Sequence, residues 1–225
     1  MESENSLYYI TIATKPHKIL TNIQQHLEKT GDKVIVLGET ENRNIGWHST
    51  GNFGIKIREV QKFVANPELR DNDIILFTDA YDVICAGNIS DACMRFKNMG
   101  CQILFGGETS CNPMPELKKH YNNTQEEFSF LNSGLFIGYV KTLRILLNNY
   151  EYNDNHDDQV FWTIQYLNNP NLISIDYHNE IFLNTYGLDI KEINWNGNTA
   201  IYKGRNPLFI HVNGPDKTEL NNFIN

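Results

Sequence analysis

Two carboxylates three positions apart close an apolar run in the segment ILFTDAYDV, where Asp79 and Asp82 follow Asp73–Thr78. A turn can bring both around one ion, and hard divalent cations take oxygen ligands while leaving positions open for phosphates. Left unneutralised, two such groups would repel and raise each other's pKa, a cost that a metal removes. The plainer alternative is a turn cap at Asp79 and a solvated Asp82. His211, in LFIHVNGP, ends another apolar run, where a neutral imidazole can add a nitrogen ligand. Asn213-Gly214-Pro215 and then Lys217 follow it, a turn of backbone N–H groups suited to cradling a diphosphate. Asp157 and Asp158 stand at a helix start after Asn153-Asp154-Asn155-His156. Acidic residues there can serve as simple caps, favoured by the helix dipole, or can carry chemistry.

The elements that must position these groups alternate strand and helix, which predicts an α/β sheet flanked by helices. Strands are expected at Leu7–Ala13, Lys33–Leu37, Asp73–Thr78, Cys101–Phe105 and Phe130–Val140, with short strands at Leu172–Ile175, Ile181–Leu183 and Leu208–Val212 completing the sheet. Helices are expected over Thr14–Thr30, Ile55–Ala65, Ser90–Met99 with Ser90 as cap, Thr142–Tyr150 and Asp157–Leu167. A Gly-rich polar loop, Gly38–Gly54, is long for a connection inside one domain. In sheets of this kind ligands bind beyond the carboxyl ends of the strands, which places Ala13-Thr14, Asp79–Asp82 and Gly106–Glu108 along one edge.

The chain of 225 residues fits a single domain. Its 27 acidic against 19 basic residues argue against a nucleic-acid backbone as partner. The four cysteines match no zinc or redox spacing, and Cys93 is expected to be a small buried apolar residue. No basic leader with an apolar core opens the chain, and no run is long enough to span a membrane, so a cytoplasmic location is expected.

In order, TIATK, FTDAYDV, FLNSGLFIGY, NDNHDDQVF and HVNGPDK resemble the glycosyltransferase domain of the procollagen lysyl hydroxylases and, less closely, the collagen galactosyltransferases. The resemblance runs from Tyr9 to about Asn221. It implies a GT-A fold that uses UDP-glucose and Mn2+ to glucosylate galactosyl-hydroxylysine in collagen-like proteins, with retention. It implies metal ligands at Asp79, Asp82 and His211, and Tyr81 packed on the uridine. Thr11 and Thr14 would hold base and ribose, Lys217 would lie near the diphosphate, and Asp157 and Asp158 near the reactive sugar carbon. Asn132, Ser133 and Gly134 would line the pocket floor. Lys56 keeps its family place after Gly51-Asn52-Phe53-Gly54, Glu108 falls at an acidic family position, and Asn112-Pro113 stands where the family has Trp before Pro.

The chemistry is coherent by itself. Breaking a sugar–phosphate bond leaves charge on a diphosphate, which a divalent ion, Lys217 and the Asn213-Gly214 N–H groups would stabilise, while a carboxylate suits a cation-like sugar carbon. Two rival classes are a haloacid-dehalogenase-type phosphatase, whose paired Asp residues stand two apart near the chain start, and a non-catalytic glycan- or collagen-binding module, which would be expected to lack the metal residues.

Overall fold

A computed structural model of the chain describes residues 5–46 and 51–224. In chain order the elements are β1 (Leu7–Ile12), α1 (Lys18–Glu28), β2 (Val34–Leu37), α2 (Gly54–Val64), β3 (Ile74–Asp79), β4 (Val83–Cys85), α3 (Ile89–Met99), β5 (Ile103–Glu108), β6 (Phe130–Tyr139), α4 (Val140–Leu147), α5 (Asp158–Asn168), β7 (Ile173–Asp176), β8 (Phe182–Asn184), β9 (Asn194–Trp195), β10 (Ala200–Ile201) and β11 (Phe209–His211). The main sheet has the order β2-β1-β3-β6-β5-β7. Its strands are apolar on both faces, as a covered sheet requires. Ile74 and Leu76 of β3 pack with Ile19 and Ile23 of α1, while Ile75 and Phe77 face the side of Val60 in α2 and Leu143 in α4.

Three differences from the sequence reading bear on the site. The short strands do not all join the main sheet: β7 does, but β8 and β11 form a second sheet with β4, in the order β4-β11-β8. At three residues each, β4, β8 and β11 carry too little pattern to reveal their partners. Strand β6 runs antiparallel to both β3 and β5, so its first residues lie at the edge where those strands end. Between Phe105↔Phe136 and Gly106↔Asn132 the register shifts, leaving Ser133, Gly134 and Leu135 without partners on β5. Finally, α1 begins at Lys18 rather than Thr14, because Pro16 follows Lys15 and biases it against helix, and the His17 side chain then caps by accepting from the Ile19 N–H.

Smaller corrections follow. Helix α3 has Asn88, not Ser90, at its cap position, and Gly100 ends it in the left-handed region at φ +67°. Cys93 is half-buried and packs at the margin of the core rather than inside it. Of the long loop Gly38–Gly54, residues 47–50 lie outside the described residues. Among the described residues no helix is long and apolar enough to cross a membrane.

Candidate functional site

The sheet edge predicted from the apolar runs does gather the polar residues. Asp79 is the last residue of β3, and Asp82 follows the turn that leads into β4. Antiparallel pairing of β4 with β11 sets His211 opposite Val83, and the Val212 N–H donates to the Asp82 carbonyl at 2.9 Å. One atom each from Asp79, Asp82 and His211 lies within 4.8 Å of the others. His211 Nε2 is 3.3 Å from Asp82 Oδ1 and 3.8 Å from Asp79 Oδ2.

The tautomer of His211 follows from its other nitrogen. Nδ1 stands 2.8 Å from Asn184 Oδ1 and 3.1 Å from Asn132 Oδ1. Two amide oxygens can only accept, so Nδ1 carries the proton and Nε2 presents a lone pair toward the carboxylates. Asp82 Oδ1 is buried and has no hydrogen-bond donor among the described residues. A buried carboxylate oxygen facing a lone pair is costly unless something positive completes the site. Two ligands of one ion at about 2.1 Å lie between roughly 3 Å apart when adjacent and about 4.2 Å when opposite, a range that holds the 3.3 and 3.8 Å separations of His211 Nε2 from the two carboxylates. These residues therefore fit a divalent metal, with two carboxylates and one imidazole as its protein ligands.

Two lysines neutralise the acids. Lys56 Nζ lies 2.7 Å from Asp79 Oδ1 and 2.6 Å from Asp158 Oδ2, and Lys217 Nζ lies 2.7 Å from Asp82 Oδ2. Burial raises the pKa of Asp79, with Lys56 opposing that shift. For Asp82 burial also acts upward, and the Lys217 ammonium opposes it. Lys56 is buried, yet its two carboxylate partners keep its pKa above the ordinary lysine value.

Beyond the acids lie the residues of β6. Gly134 leaves room for the histidine: a β-carbon there would come 2.3 Å from His211 Cε1 and 2.9 Å from Asp79 Oδ2. The Asn132 amide oxygen accepts from the Gly134 N–H as well as facing His211. Ser133 Oγ donates to Asp158 Oδ2 at 2.8 Å. The adjacent acids divide the two roles left open by the sequence. Asp157 is the cap of α5, accepting from the Val160 N–H at 3.0 Å, whereas Asp158 turns inward to Lys56 and Ser133.

Glu108, at the end of β5, is held by neutral amides: Gln159 Nε2 donates to Oε1 and Asn213 Nδ2 to Oε2, both at 3.0 Å. Burial pushes its pKa up to about 8 despite these bonds. Since the folded-state value lies above the unfolded one, the native state holds the extra proton between about pH 4.5 and 8, and stability falls as pH rises through that window. The expected slope from this group is at most about 1.4 kcal/mol per pH unit. Glu108→Gln should flatten it in metal-free urea denaturation series at successive pH values. An undiminished slope in the variant would assign it to other groups.

A cavity of about 320 Å³ opens at the ends of β1 and β3, lined by Thr14, Lys15, Pro16, His17, Asn44, Ile45, Gly46 and Tyr81. The Tyr81 hydroxyl accepts from the N–H groups of Thr14 (2.9 Å) and Lys15 (3.1 Å), which fixes the ring as one wall. Thr11, expected beside Thr14 as a nucleotide contact, is placed otherwise. It is fully buried, and Oγ1 donates to the Thr78 carbonyl at 2.7 Å, bracing β1 against β3. Thr11→Val should accordingly cost about 1 kcal/mol of stability and leave nucleotide affinity within about twofold by titration calorimetry. A larger affinity loss would restore it to the binding site.

The remaining expected residues reach the same region. Asn213 and Gly214 follow β11, Gly214 with φ +90°. Gln159 and Asn184 were not assigned roles from sequence, yet they hold Glu108 and His211. For Asn184 the signal was available: like Asp79, it is a polar residue directly after an apolar run.

The family profile described as the PLOD GT domain matches residues 3–225. The human multifunctional procollagen lysine hydroxylase and glycosyltransferase LH3 is 34% identical over 180 residues, covering 75% of this chain and 24% of that protein. Human procollagen-lysine,2-oxoglutarate 5-dioxygenase 1 is 28% identical over 228 residues, 97% of this chain and 31% of its own length. The chain thus spans only about a quarter to a third of these relatives. Among solved structures, a glycosyltransferase involved in glycosylation of the major capsid of PBCV-1 shares the fold, with a TM-score of 0.56 at 10% identity over 95% of this chain and 96% of the other.

Proposed function

Because this chain belongs to the family of PLOD glycosyltransferase domains, we propose that it moves glucose from UDP-glucose to galactosyl-hydroxylysine of collagen-like proteins, with Mn2+ as cofactor and retention of configuration. The observation that carries the metal-dependent part is the orphaned Asp82 Oδ1 facing the lone-pair nitrogen of His211. Donor, acceptor and retention are supported by the family resemblance.

In this reading Tyr81 and Thr14 receive the nucleoside in the cavity they line. Asp79, Asp82 and His211 hold the ion, which when bound would neutralise charge on the departing diphosphate. Lys217, already 2.7 Å from Asp82, adds a positive charge on the same side, and the N–H groups of the Asn213-Gly214 turn are available to phosphate oxygens. Lys56 bridges Asp158 and Asp79, so a carboxyl group is held in place where the sugar carbon gains positive character. Glu108, gripped by Asn213 and Gln159, is a buried carboxyl group available to donor-sugar hydroxyls. Asp157, spent on capping, orients its neighbour.

The test is UDP release from UDP-glucose and from UDP-galactose with Mn2+, with and without a galactosyl-hydroxylysine peptide. Release from UDP-glucose that rises with the peptide is expected. Preference for UDP-galactose with a bare hydroxylysine peptide would replace the donor and acceptor, and release from neither would reduce the chain to a binding module.

A further inference from the structure

We infer that Tyr186 is the platform on which the acceptor sugar rests, its ring taking the C–H face of a pyranose at the mouth of the site. This rests on the glycosyl-transfer reading above.

The strand order fixes a direction along the active edge: Thr14 and Tyr81 at the ends of β1 and β3, then Asp79, then Gly134 of β6, then Glu108 and Thr109 at the end of β5. A nucleotide sugar seated at Tyr81 and crossing the Asp79–Asp82–His211 group brings its sugar toward Asp158 and Glu108. The acceptor must then approach from the far side, where Thr109 and Tyr186 meet.

Tyr186 is held there by its backbone. Its N–H donates to Asn213 Oδ1 at 2.9 Å, and its carbonyl accepts from Thr109 Oγ1 at 3.1 Å. The Asn213 amide that receives Tyr186 also binds Glu108, so the aromatic residue stands one side chain away from the buried carboxylate. Its ring lies against the Gly214 backbone, where a β-carbon would come 2.5 Å from Cδ2. The residue nevertheless remains 40% exposed.

A ring anchored in this way loses little conformational freedom when a ligand covers it, because only two side-chain torsions need ordering. Tyrosine offers an apolar face with a polar tip. A pyranose offers the complement, a patch of C–H groups rimmed by hydroxyls. Galactose suits the site well, since its axial hydroxyl leaves one face with contiguous C–H groups.

The experiment compares the unaltered chain with Tyr186→Ala and Tyr186→Phe. It measures KM for a galactosyl-hydroxylysine peptide and for UDP-glucose, and saturation transfer from the protein to methyl β-galactoside. Tyr186→Ala should raise the acceptor KM about tenfold, shift the donor KM less than about threefold, and lose the saturation transfer, while Tyr186→Phe keeps all three near the original. Equal acceptor KM and equal saturation transfer in Tyr186→Ala would overturn the assignment. Should the unaltered chain release no UDP, the glycosyl-transfer reading fails, and the galactoside measurement still decides for or against the platform.

Discussion

Gly134→Ala is expected to reduce UDP-sugar turnover by at least about a hundredfold, the scale of losing one preorganised electrostatic element, in a protein that still folds. The added methyl group has no soft neighbour to displace. It would meet His211 Cε1 at 2.3 Å and Asp79 Oδ2 at 2.9 Å, the side chains of two of the three proposed metal ligands. His211 cannot retreat without breaking its bonds to Asn184 and Asn132, and Asp79 cannot without leaving Lys56. The backbone itself tolerates the change, because Gly134 is not among the glycines with positive φ. Overpacking at such a site costs about 1–3 kcal/mol, so circular dichroism should show a folded chain of lowered Tm. Near-normal turnover would mean that the ligands have slack that the packing does not suggest.

Removing Lys56 should act mainly on stability. Lys56→Met strands Asp79 and Asp158, both of which face its ammonium at 2.6–2.7 Å in a largely dry site. Deleting one partner of a buried ion pair typically costs about 3–5 kcal/mol, because the remaining charge is left uncompensated. The loss should show in metal-free urea denaturation and shrink when Mn2+ is added, since a bound cation beside Asp79 takes over part of the neutralisation. A cost below about 1 kcal/mol, the range of surface pairs, would show that solvent already screens these acids.

What the sequence could and could not disclose follows from the range of each interaction. The ends of β1, β3 and β5 were legible because an apolar strand meeting a polar residue is a local pattern. The clustering of Asp79, Asp82 and His211 was legible for the same reason, since each closes or follows such a run. The route by which His211 reaches the aspartates was not legible. It depends on β11 pairing with β8 and, across more than a hundred residues of sequence, with β4 in a separate sheet. The direction of β6 was hidden as well, because a strand buried on both faces has the same pattern whichever way it runs. Asp157 and Asp158 looked alike in sequence. Only the geometry of the α5 cap separates them, turning Asp157 to the backbone and Asp158 to Lys56. Thr11 shows the converse error, since a strand-end threonine can donate inward to Thr78 as readily as outward to a ligand.

The central claim is that Asp79, Asp82 and His211 hold a divalent ion through which the nucleotide diphosphate is bound. Its most direct test is the thermal unfolding of the unaltered chain and of Asp82→Ala, each with UDP alone, Mn2+ alone and both together. At about one hundred times its Kd a ligand adds about 2.7 kcal/mol, worth roughly 5–10 °C in Tm for a chain of this size. The account predicts a rise of that order for UDP only when Mn2+ is present, and none in Asp82→Ala. An equal rise with UDP alone, or one that survives in Asp82→Ala, would contradict it.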